Sequence, residues 1–395
     1  MELLAPAGNF EKFMTGLHFG ADAFYMAGDR FGLRAFAGNF STEELEKATK
    51  IAHENGKKVY ITLNIIAKDQ DFVGLKEYLL FLQKIKVDAV IVADIGVLAF
   101  IRENAPKLCV HVSTQANIIN SYSANLMAKL GAKRLVLARE LSLEEIKTIR
   151  ENLPSDVELE VFVHGAMCMA YSGRCLLSNY LTGRDSNHGE CVQACRWKYY
   201  VKEVSREDDL EVQEDERGTY IFNSKDLNML EHLADLEKIG VDSIKIEGRM
   251  KSANYVATVV NAYRRALDML PKKPSKELIA ELLKPSHRPY TTGFYYGEND
   301  RQYRKESKHV KTEEFVGVVA VDSKDGFVEV EMRNKFSVGD VLGLLSVVPK
   351  SFNKQLKITK IINSDGEEIE TAKRVQEIVK VPCKYELKKG DILRR

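Results

Sequence analysis

Four thiols stand in one glycine-rich stretch, "HGAMCMAYSGRCLLSNYLTGRDSNHGECVQACRW" at 164–197: Cys168, Cys175, Cys191 and Cys195, spaced C-x6-C-x15-C-x3-C. Where thiols stay reduced, such a set is a ligand group for a metal or a cluster rather than a pair of disulfides. Short C-x2-C knuckles, the mark of structural zinc, are absent, yet wider spacing still ligates zinc if the thiols converge. An iron–sulfur cluster needs four thiolates gathered around a larger body, which long loops between ligands suit. Spacing alone leaves the two equally open. Cys109 and Cys383 stand apart and read as small core hydrophobes.

The chain around this stretch is ordinary in composition. Of its 395 residues 29% are charged and 45% hydrophobic, and Lys plus Arg exceed Asp plus Glu by only 58 to 57. No global field therefore steers it to nucleic acid or to an anionic membrane, so any such binding must come from a local patch. The start, "MELLAPAGNFEKF", has no basic n-region and no long apolar run, so a cytoplasmic chain without membrane attachment is expected.

The elements that must position the thiols are legible. Short apolar runs at 2–7, 23–28, 58–64, 89–94, 110–115, 134–140, 158–165 and 243–249 read as strands, with amphipathic helical patterns between them. Ser41 with Glu44 and Ser142 with Glu145 have capping-box spacing, and Gly56 suits a helix end. Eight alternating units predict an α/β fold, a (β/α)8 TIM-like barrel, with no G-x-G-x-x-G after the first strand to favour an open dinucleotide-binding sheet. The cysteines fall in a long insertion after strand 7. Within it "RWKYYVKEV" and "RGTYIFNSKDL" suggest a hairpin with a charged tip at 205–217. From about 312 the pattern is strands only, and "FSVGDVLG" and "LKKGDILR" each place Gly-Asp in a turn, predicting a small C-terminal antiparallel β-barrel. The expected organisation is a catalytic domain at 1–270 with the cysteine insertion at 165–225, a helical and basic linker at 271–311, and the small barrel at 312–395.

Active sites of parallel barrels gather at the C-terminal strand ends. Those ends carry Asn64, Asp94, Ser113 with Gln115, Arg139 with Glu140, His164, and Glu247 with Arg249. His164, Glu247, Gln115 and Asn64 are the candidate catalytic groups. His164 suits proton transfer near neutral pH, or else a supporting hydrogen bond. The cysteines follow directly after His164, which puts them over the same mouth.

The block "ELEVFVHGAMCMAYSGRCLLSNYLTGRDSNHGECVQACRW", with "MELLAPAGNFEKF", "SKDLNMLEHL", "IKIEGRMKSANYVATVVNAYR" and "RPYTTGFYYG", resembles the U32 family, long called collagenase-like peptidases. With its small C-terminal barrel the chain is similar to the prephenate-dependent tRNA uridine hydroxylase branch. That resemblance implies hydroxylation of wobble uridine 34 to 5-hydroxyuridine, a 4Fe–4S cluster on Cys168, Cys175, Cys191 and Cys195 with zinc as the alternative, and prephenate as co-substrate. The two carboxylates of prephenate call for arginines, and Arg139, Arg174 and Arg249 are the candidates. Lys245 is less suited if its place within a strand points it outward. For tRNA, "RQYRKESKHVK" at 301–311 supplies Arg301, Arg304, Lys305, Lys308 and Lys311 with an interleaved tyrosine. Residues 312–395 carry 15 basic against 14 acidic side chains, so that part is not an electrostatic clamp.

Two other readings stay open. One is a U32 peptidase, for which a Cys168–His164 dyad is conceivable although no H-E-x-x-H or G-x-S-x-G is present. The other is a non-catalytic RNA-binding partner of a second U32 protein.

Overall fold

The computed structural model describes residues 1–33, 39–168, 171, 175–197, 214–215, 218–219, 225–297 and 313–395. Eight parallel strands close into a barrel: β1 (Glu2–Pro6), β2 (Ala23–Met26), β3 (Lys58–Leu63), β4 (Ala89–Val92), β5 (Val110–Val112), β6 (Arg134–Val136), β7 (Glu158–Ala166) and β8 (Ser243–Ile246). The seam is made by β8, which pairs with β1 on one side and β7 on the other. Helices α1 (Phe10–His18), α2 (Thr42–Glu54), α3 (Leu75–Lys84), α4 (Ile95–Asn104), α5 (Ser121–Lys129) and α6 (Leu143–Glu151) follow the first six strands. Both expected capping boxes form: Ser41 with Glu44 starts α2, and Ser142 with Glu145 starts α6. Gly56, at φ 66°, turns the chain after α2.

The insertion after β7 holds α7 (Leu177–Thr182) and returns through the short strand Asp226–Asn228, which runs antiparallel along the upper end of β7. Next come α8 (Leu233–Lys238), β8, α9 (Ala253–Asp268) and α10 (Lys276–Glu281). Of the expected hairpin, a two-residue ladder between Glu214–Asp215 and Gly218–Thr219 is present, and the remainder lies outside the described residues. No helix among the described residues is long and apolar enough to cross a membrane.

Outward-facing side chains of the strands join the main core with the helices. Inward-facing ones divide into two halves. Leu4, Ala23, Tyr25, Tyr60, Ala89 and Ile91 form a small apolar cluster. Across from it Arg134 bonds Glu2 at 2.6 Å and Glu160 at 3.1 Å, and Lys245 bonds Glu160 at 2.8 Å. Glu160 is fully buried, so both cations are needed to hold its charge out of water. His111, between them, is pushed well below its ordinary value by burial, with Arg134 and Lys245 adding to the effect.

Residues from 313 on form a curled antiparallel sheet. Its central strands Phe315–Lys324 and Phe327–Met332 are flanked by Ile378–Pro382 on one side and Ile392–Arg394 on the other. The two Gly-Asp units behave alike. Gly339 and Gly390 have φ 96° and 100°, the Asp340 and Asp391 carboxylates each accept the N–H three residues back, and the strands that follow pair with one another. This sheet sits on α1, α9 and α10 through His18–Asp391 at 2.8 Å, Arg265 to the Ser346 carbonyl at 2.8 Å, and a buried Arg394–Glu281 pair.

Candidate active site at the barrel mouth

The C-terminal strand ends open into a cavity of about 370 Å³. Its depth is graded by exposure. Tyr25, Thr62, Ile91, Ser113, Phe162 and Lys245 are all buried and form the floor, while the exposed Cys168 and the half-buried Cys175, Cys191 and Cys195 line the upper part with Tyr171 and Leu177. Between them stand Asn64, Gln115, Arg139, Glu247 and Arg249. The four thiols and the polar strand ends thus share one space, and none of the thiols is in a disulfide.

The cysteine stretch is tied down at several points. The Cys175 carbonyl accepts from Ser186 Oγ at 2.6 Å and Asn187 Nδ2 at 3.0 Å. The Asn187 carbonyl takes the Ile66 N–H from the loop after β3, and His188 Nε2 lies 3.0 Å from Asp71 in the same loop. Burial would raise the Asp71 carboxyl, but the Lys68 N–H and His188 hold it below the usual carboxylate range. Near the other pair of thiols, Gln193 adopts φ 57° and its N–H points at Cys191 Sγ, 3.4 Å away. Among the described residues no three His, Cys, Asp or Glu side chains converge on a point where a single metal ion would sit.

Several expected residues take other places. His164 does not line the cavity. A bulge in β7 pairs Lys245 with Phe162 but Ile246 with His164, so the alternation skips Val163 and turns His164 outward. There it is fully buried among Tyr255, Tyr263 and Tyr290, with Nδ1 3.4 Å from the Tyr263 hydroxyl and no partner for Nε2 among the described residues. Burial, with Lys251 and His287 adding, pushes it down to about 3. A group neutral throughout the working range and facing away from the cavity is no proton shuttle, and no Cys168–His164 dyad forms.

Lys245 departs from expectation in the opposite direction: it faces inward, at the cavity floor. Its two-residue spacing from Glu247 was the available signal, since both must lie on one face of β8. Asn64 lines the cavity while its Oδ1 accepts the Leu33 N–H at 3.2 Å. Arg249 also lines it, but its guanidinium donates to the Leu33 carbonyl at 2.8 Å and to Asn39 Oδ1 at 2.6 Å. Arg139 donates to the Ala166 carbonyl at 3.0 Å and lies over the Phe162 ring at 4.3 Å. No hydrogen bond to the Gln115 side-chain amide is present among the described residues. Arg174, and Arg301, Arg304, Lys305, Lys308 and Lys311, lie outside the described residues. Sequence reasoning missed Tyr25, Phe162 and Tyr171, whose apolar character matched ordinary core.

With this geometry in place, comparison with known proteins is informative. The family model "Peptidase family U32" matches residues 8–305, and "Peptidase family U32 C-terminal domain" matches 311–394. A Bacillus subtilis protein named tRNA hydroxylation protein P1 is 38% identical, covering 100% of this chain and 94% of its own. The Escherichia coli tRNA hydroxylation protein P is 37% identical, covering 93% and 90%. A Porphyromonas gingivalis protein named Collagenase is 30% identical, covering 100% and 97%. On these matches, which run through both the barrel and the C-terminal sheet, the chain belongs to peptidase family U32.

Proposed function

We propose that this chain is a tRNA-modifying hydroxylase that converts wobble uridine 34 to 5-hydroxyuridine with prephenate as co-substrate, and that Cys168, Cys175, Cys191 and Cys195 hold a 4Fe–4S cluster. The observation that carries this reading is the sharing of one cavity by four thiols and the polar strand ends of the barrel. The relatives named tRNA hydroxylation proteins support the RNA substrate. The donor set fits the cluster. All four ligands are sulfur, one already accepts an N–H, and all four line the same cavity. Bound there, a cluster would supply one-electron redox chemistry beside the substrate.

The remaining roles belong to the chain's own groups. The Gln115 amide offers one donor and one acceptor, which matches the O4 and N3–H edge of uracil. Glu247 is the only carboxylate among the described lining residues and is the general-base candidate for the proton on uracil C5. The peptidase reading loses the histidine partner of its thiol, because His164 is turned away from the cavity that the thiols line.

The test is to purify the full chain without oxygen, measure iron, sulfide and zinc, and then follow tRNA nucleosides by mass spectrometry with prephenate present. About four irons and four sulfides per chain, lost in a Cys168→Ser, Cys175→Ser double variant together with the gain of one oxygen on uridine, is the expected result. One zinc per chain would remove the redox reading. A metal-loaded chain that hydroxylates only beside a second U32 protein would make it a partner rather than the enzyme.

A further inference from the structure

We propose that Lys245 is the carboxylate anchor of this cavity, so that a small organic anion enters carboxylate-first and occupies the floor, leaving the upper part by the thiols for the nucleobase. The inference rests on the hydroxylase reading for the identity of that anion, and on the geometry of the floor for its position.

Among the described lining residues three cations, Arg139, Lys245 and Arg249, face the single carboxylate Glu247. The two arginines are tied to the walls, Arg249 through Leu33 and Asn39 and Arg139 through the Ala166 carbonyl. Lys245 is different. Its ammonium is buried, and its one hydrogen bond among the described residues goes to Glu160 at 2.8 Å. An ammonium carries three donors. Its other neighbours are ring faces, Tyr25 at 4.5 Å and Phe162 at 5.5 Å, which stabilise the charge without using an N–H. Glu160 is the counter-ion of Lys245, while Arg134, which also touches Glu160, has Glu2 and Glu158 at 2.6 Å as its own. The floor therefore presents a buried, ion-paired ammonium with N–H donors to spare, which a carboxylate entering the cavity can take up.

Arg139 packs on the same Phe162 ring at 4.3 Å, which puts the two cations at most about 10 Å apart. A ligand with two carboxylates on a short flat body spans such a pair, and one with a single carboxylate reaches only the floor. Lys245 thus sets the depth and orientation of the anion.

Calorimetric titration of the full chain tests this, using prephenate, phenylpyruvate as the one-carboxylate probe, and malate and citrate as unrelated polycarboxylates. Lys245→Met is expected to weaken prephenate binding at least about tenfold. Glu160→Gln is expected to keep or tighten it, because the ammonium is no longer shared. A purely structural role for the pair predicts that both variants weaken binding equally, and that result overturns the proposal. So does prephenate binding that is indifferent to Lys245→Met, which leaves the co-substrate reading intact. If wild type ignores prephenate but binds malate or citrate in a Lys245-dependent way, the co-substrate reading falls and the anchor stands. If no organic anion binds, both fall. Should Lys245→Met fail to fold, the Lys245→Met, Glu160→Gln double variant removes both charges together and is compared with Glu160→Gln alone.

Discussion

Glu247 and His164 leave neighbouring strands at the same height, yet one faces the cavity and the other a pocket of tyrosines. Their variants should therefore behave oppositely. Glu247→Gln is expected to lower kcat by about 10²–10⁴ while binding of prephenate and tRNA changes little, as read by single-turnover kinetics beside titration. His164→Leu is expected to leave turnover nearly unchanged and instead to alter acid stability. Burial holds His164 near 3 in the folded chain, against about 6.5 when unfolded. Between those values only the unfolded chain takes up the proton. The stabilisation is thus complete above about pH 6.5 and is lost on acidification at up to about 1.4 kcal/mol per pH unit. Urea titrations at pH 7 and pH 5 should show wild type losing about 2 kcal/mol more than His164→Leu, with His111 contributing the same sign in both. At this scale the sequence put the thiols and Glu247 at the barrel mouth, and there they line the cavity. It failed where one skipped residue, Val163, reverses the facing of everything after it, and no local composition marks that position.

The elements themselves were the most legible part. All eight barrel strands were visible as short apolar runs, and the capping boxes of α2 and α6 follow from two serines and two glutamates. The supports of the cysteine stretch were not, because they are side chain to backbone bonds between segments far apart: Asn187 and Ser186 to the Cys175 carbonyl, and His188 to Asp71. These give the insertion a stability distinct from that of the barrel. Asn187→Ala removes one such bond, worth about 1 kcal/mol. On the proposed cluster reading, it is expected to speed loss of iron to a chelator roughly fivefold with the melting temperature unchanged. A barrel that melts earlier with iron retained would place Asn187 in the fold rather than in the thiol support.

For the molecule as a whole, the C-terminal sheet is fixed to the barrel rather than tethered. Leu345 and Ile392 belong to the main core, and the Arg394–Glu281 pair is buried on both sides. Arg394→Met removes one of the two cations on the buried Glu281 carboxylate, Lys284 being the other, and is expected to cost about 1–3 kcal/mol. Arg394→Met with Glu281→Leu is expected to recover most of it, since Lys284 and Glu313 then still pair at 3.1 Å. Hydrogen exchange across residues 313–395 would locate the loss. The sequence announced that sheet through its change of pattern and its two Gly-Asp units, but not its docking, which depends on single arginines meeting single acids across the chain.

The seam strand β8 lies at 243–246, some way downstream of the thiols at 168–195. A chain emerging from the ribosome at about 5–20 residues per second therefore presents all four cysteines before the strand that seals the barrel has been made. For several seconds the thiols belong to an open sheet whose floor is still wet. On the proposed cluster reading, iron would have its easiest access in that interval, and the order of synthesis, not only the finished cavity, would set how much of the protein is loaded.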